Sequence, residues 1–69
     1  MNIEVYITKE TEEEFDVDVF EVEVGEEEEE GERVEDLTSC GYKSVEEAEA
    51  YVKTLIQNKS YVVYYKGVR

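Results

Sequence analysis

Phe15-Asp16-Val17-Asp18-Val19-Phe20-Glu21-Val22-Glu23-Val24 alternates apolar and acidic residues, the pattern of a strand with one buried face. The alternation slips once, where Val19 and Phe20 stand side by side. A β-bulge at that step restores it. Read this way, Phe15, Val17, Val19 or Phe20, Val22 and Val24 line a core, and Asp16, Asp18, Glu21 and Glu23 share the outer face. Upstream, Asn2 to Thr8 alternates as well. Ile3, Val5 and Ile7 face one way, and Glu4, Tyr6 and Thr8 the other. The polar stretch from Lys9 to Glu14 predicts a turn, so the two strands form a hairpin.

Downstream, Gly25 to Gly31 encloses five consecutive glutamates, Glu26, Glu27, Glu28, Glu29 and Glu30. Five like charges without an apolar residue predict a solvated loop. Val34 to Thr38 is read as a short third strand, and Ser39 to Lys43 as a loop containing Gly41. Ser44-Val45-Glu46-Glu47 is a capping box: the Ser44 hydroxyl accepts from the Glu47 amide, and Glu47 reaches back to the Ser44 amide. The helix that follows runs to about Gln57. Val45, Ala48, Val52, Leu55 and Ile56 recur at three- and four-residue steps and predict its buried stripe, with Tyr51 at the border. Tyr61 to Tyr65 is a β-branched and aromatic run, a last strand.

The predicted class is α+β. A small, mainly antiparallel sheet of three or four strands, in the order β-β-(β)-α-β, carries one helix on one face. Residues 1–69 make one small domain. A chain of this length buries only about 60% of the surface it exposes when unfolded. It leaves no room for a deep cleft, and nothing remains to cover the second sheet face.

Charge is the dominant compositional fact: 20 acidic residues against 7 basic ones, net −13. Residues 1–36 hold 17 of the acidic residues against Lys9 and Arg33, a net of −15, while residues 37–69 carry a net of +2. Such a chain repels nucleic acid and anionic membranes and attracts basic surfaces. Histidine is absent, which removes the commonest general base and metal ligand. The single cysteine, Cys40, cannot form an internal disulfide and fits a reducing cytoplasm. Met1 to Glu10 has no apolar run behind a basic region and does not read as a signal peptide. No stretch approaches the roughly 20 apolar residues of a membrane span. Asp16 and Asp18 lie two apart, but no ordered calcium loop surrounds them, and no metal site or cofactor is predicted. Nor is catalysis.

Same-face side chains on a strand recur about every 6.6–7 Å, and neighbouring strands lie about 4.8 Å apart. Carboxylates on two such strands, flanked by the glutamate loop, approach the roughly 3.4 Å charge spacing of one DNA strand. The expected function is therefore non-enzymatic: an acidic protein that imitates nucleic acid and blocks the basic groove of a nucleic-acid-binding protein. The candidate contacts are Asp16, Asp18, Glu21, Glu23 and Glu26 to Glu30, with Tyr6 as an aromatic neighbour. In size and charge the chain resembles small acidic phage-encoded inhibitors of host defence nucleases, such as anti-CRISPR proteins, and inhibitors of uracil-DNA glycosylase. The resemblance implies a basic protein partner and a host-cytoplasmic site of action. The alternative expectation is an interaction or assembly module, with a homodimer as one form of it. It would use the open sheet face or an edge strand, Tyr61 to Tyr65 being the natural edge, with the acidity serving solubility or salt adaptation.

Overall fold

A computed structural model describes residues 1–23 and 31–69. Its elements are β1 (Asn2–Thr11), β2 (Glu14–Glu21), β3 (Glu32–Arg33), β4 (Ser39–Tyr42), α1 (Val45–Gln57) and β5 (Val62–Val68). The fold is α+β. β1 and β2 form the expected antiparallel hairpin, with β5 parallel to β1 on its other side. β3 and β4 both pair antiparallel with β2, so the path across the sheet is β3-β2-β1-β5 with β4 also on β2.

Ile3, Val5 and Ile7 of β1 and Phe15, Val17 and Val19 of β2 point to one face and pack under Ala48, Val52 and Leu55 of α1. Ile3, Val5, Ile7, Val17 and Val19 are wholly buried. Each such side chain contributes about 1.5–3 kcal/mol, so these few residues supply most of what holds so small a domain together.

The predicted bulge at Val19–Phe20 is absent. Val5 pairs with Val19 and Glu4 with Phe20 in an unbroken register, and the only shift in this ladder falls near the turn, between Lys9 and Thr11. Val19 already fills its core position, so a bulge would give up ladder hydrogen bonds and gain no burial. Phe20 instead joins the uncovered face, where its ring meets that of Tyr6 edge-on at 6.0 Å. Val22 is buried but stands outside the main core cluster, and Val24 lies outside the described residues.

The expected third strand is also displaced. Val34 to Thr38 is a turn, closed by Thr38 N donating to the Val34 carbonyl at 3.0 Å. The predicted loop at 39–43 holds β4. Val34 and Leu37 are three apart and both pack against the core, which a strand could not arrange. Val19 holds both ends of the turn. Its carbonyl accepts from Val34 N at 2.8 Å, and its amide donates to the Thr38 hydroxyl at 3.2 Å.

The helix starts as its sequence directs. Ser44 is extended and its hydroxyl accepts from Glu47 N at 3.2 Å. The Glu47 carboxylate reaches the Lys43 amide at 2.9 Å, one residue earlier than the capping box predicts. At the other end Asn58 caps the helix, and its side chain accepts from Ser60 N at 2.9 Å to turn the chain into β5. Val45 is half-buried, and Ile56 is 53% exposed rather than part of the buried stripe. Among the described residues no helix is long and apolar enough to cross a membrane.

Candidate interaction site

The face of the sheet opposite α1 carries Glu4, Tyr6, Thr8 and Glu10 from β1 and Asp16, Asp18 and Phe20 from β2. Tyr64 stands beside Glu4 on β5. Of the residues expected to form one acidic face, the structure brings Asp16, Asp18 and Tyr6 together there. Glu21 pairs with Ile3 and so belongs to the other face, beyond the reach of the helix, where it is exposed. Glu23 lies past the end of β2, and Glu26 to Glu30 lie outside the described residues.

Asp18 is buried and engaged. Thr8 donates to it at 2.6 Å, Arg33 lies 3.6 Å away and Arg69 3.7 Å away. Arg69 also covers the Tyr6 ring. Two of the chain's few cations thus neutralise the centre of this face. Glu4 is buried as well. One of its oxygens accepts from the Tyr6 hydroxyl at 2.9 Å, and the other has no hydrogen-bond partner.

Exposed negative charge collects instead at the hairpin end. Glu10, Glu12, Glu13 and Glu14 are all exposed there, next to Asp16. The carboxylate of Asp16 is the largest cause that raises the Glu10 pKa above its ordinary value, and Asp18 and Glu14 push the same way. Lys9 offers one exposed ion pair, to Glu12 at 3.7 Å. From Glu14 to Glu21 the strand spans about 24 Å, at about 3.4 Å per residue, so the acids at its two ends do not form one patch. The expected face, drawn from Phe15–Val24, the run Glu26 to Glu30 and Tyr6, leaves out Glu10 and Glu12 to Glu14. Their position in the turn between two paired strands was the signal that could have singled them out.

A second surface differs in character. β5 has β1 on one side and, among the described residues, no strand on the other. Among the described residues the large apolar side chains left exposed are Met1, Ile56, Val62, Tyr65 and Val68, and every one lies on β5 or beside it. Met1 adjoins the start of the strand, since Val62 N donates to its carbonyl at 2.8 Å. Ile56 shares with Glu49, Val52, Lys53 and Tyr65 a shallow cleft of about 180 Å³ between helix and strand edge. Burial and the adjacent Glu49 raise the Tyr65 phenol pKa above its ordinary value. Residues 50–69 hold Lys53, Lys59, Lys66 and Arg69 and no acid, a net of +4, whereas residues 1–49 carry −17.

These features define a small α+β domain with an acidic hairpin end and an apolar, weakly basic strand margin. Among the described residues no group of three or more Cys, Asp or Glu side chains is placed to hold a metal ion, and Cys40 is exposed and free. No family model, curated protein or solved structure matches the chain.

Proposed function

We propose that the chain is a non-enzymatic protein-binding domain whose partner contact is the β5 margin. The observation that carries this reading is the gathering of all the exposed large apolar side chains of the described residues along a strand with one neighbour. An unpaired strand edge offers a row of backbone donors and acceptors, and apolar side chains beside it add area to bury. The overall charge keeps such a margin from associating indiscriminately.

The hairpin end favours a second reading, the nucleic-acid mimic of phage anti-defence or anti-CRISPR type. Its specific support is the crowding of Glu10 by Asp16, Asp18 and Glu14, which marks a concentrated negative field. A basic groove would meet that field at Glu10, Glu12, Glu13 and Glu14 rather than along the strand face, where Arg33 and Arg69 already occupy Asp18.

Photo-crosslinking side chains placed singly at Val62, Val68, Glu13 and Glu21 in cells separate the two. Covalent adducts with one partner from Val62 and Val68, and none from Glu13, are the expected result. Adducts from Glu13 alone, abolished by added DNA, would replace the first reading with the second. Adducts from none of these positions would remove both.

A further inference from the structure

We infer that the β5 margin accepts an extended, acidic-apolar segment of another protein as an added strand. The inference rests on the margin being the partner contact, and adds the chemistry of what binds there. Val62 turns its amide toward β1, so alternation directs the backbone groups of Val63 and Tyr65 to the open edge. A strand lying about 4.8 Å away would bring the side chains of one face to the helix side of the sheet. There they meet the cleft formed by Val52, Ile56 and Tyr65, with Lys53 on its rim. Glu49 is the one acid on the cleft, and it lies beside the Tyr65 phenol.

Charge complementarity selects the occupant. The margin belongs to the only long segment free of acids, and Lys53 and Lys66 are both exposed beside it. Apolar side chains satisfy the cleft, and carboxylates satisfy the lysines. A second copy fits less well. Joining two β5 edges brings Lys53 and Lys66 of both copies to one seam with no acid of residues 50–69 to offset them, and like charges oppose pairing.

The test is a titration of the isotope-labelled full chain, followed by amide chemical shifts, with a short capped peptide of alternating valine and glutamate. A valine–lysine peptide serves as its counterpart. The acidic peptide is expected to move the amides of Val63, Tyr65, Lys53 and Ile56 and to bind at least about ten-fold more tightly than the lysine peptide. The exposed double variant K53E/K66E is expected to reverse that preference. Tighter binding of the lysine peptide at the same amides would overturn the acidic chemistry and leave the margin as the contact. Concentration-dependent shifts of β5 without peptide would make a second copy the occupant, with the same consequence. If neither peptide nor concentration moves the β5 amides, the inference and the reading beneath it both fall.

Discussion

The guanidinium of Arg69 stands 4.1 Å from the centroid of the Tyr6 ring, and its Nη2 lies 3.7 Å from an Asp18 oxygen. One side chain beyond the last strand thereby closes over the first two. Arg69 N also donates to the Ile7 carbonyl at 2.7 Å, so backbone and side chain pin the same end of β5.

Arg69→Ala is expected to lower stability by about 1 kcal/mol, because a partly exposed cation–π contact is worth up to about that much and the buried Asp18 keeps Thr8 and Arg33 as partners when Arg69 is removed. Arg69→Lys should recover part of the loss, since an ammonium keeps the charge but not the flat stacking surface. Denaturant midpoints give the magnitudes. Faster amide exchange at the end of β5 in Arg69→Ala would show that the pin is local.

Glu10 predicts a pH effect with a definite sign. Its folded pKa lies above the ordinary 4.5, because Asp16 disfavours a second charge beside it. The folded chain therefore holds this proton more tightly than the unfolded chain does. Through the window from somewhat above 4.5 down to it, this group's contribution to stability rises as pH falls, and at neutral pH it opposes folding. Glu10→Gln should raise the denaturant midpoint at neutral pH and make its dependence on pH shallower in that window. An unchanged midpoint would show that solvent screens the repulsion.

Glu4 has one carboxylate oxygen buried without a partner, while Tyr6 serves the other. A buried polar atom left unpaired costs about 1–3 kcal/mol. Glu4→Met removes the unpaired oxygen together with the charge and gives up the Tyr6 hydrogen bond. It is expected to stabilise the domain at neutral pH by about 1 kcal/mol, measured by denaturant unfolding, whereas Glu4→Gln, which puts an unpaired amide nitrogen in the same place, should gain less. Destabilisation by Glu4→Met would mean that the carboxylate is balanced by a cation.

Two glycines should respond differently to alanine. A Cβ at Gly31 would stand 1.4 Å from the Glu21 carbonyl oxygen, inside bonding distance of backbone. At Gly67 it would meet nothing within 4 Å, but the backbone there has φ of +92° where the β1–β5 register shifts. Gly67→Ala is expected to cost about 1–2 kcal/mol, the price of a left-handed conformation for an L side chain. Gly31→Ala should cost more and detach β3 from β2, seen as lost protection of the Val34 amide, which donates to the Val19 carbonyl. Equal losses at the two positions would contradict this account.

Much of the fold was legible in the chain. The alternation of Ile3, Val5 and Ile7 against Phe15, Val17 and Val19 specified a hairpin with one apolar face. Ser44, Ala48, Val52 and Leu55 specified where a helix begins and which stripe it buries. These are local periodicities, and burying a period-two or period-3.6 stripe leaves little choice of element. The candidate site was less legible. Whether Phe20 or Glu21 shares a face with Asp18 depends on whether the strand bulges at Val19–Phe20, and only its unbroken pairing with β1 decides that. The sequence by itself therefore determined the class of fold, the helix and the acidic excess of the first half. The tertiary structure alone decided that Arg33 and Arg69 converge on Asp18, and that the exposed apolar side chains gather beside β5. Those outcomes rest on contacts between residues distant in the chain, and such contacts leave no local pattern to read.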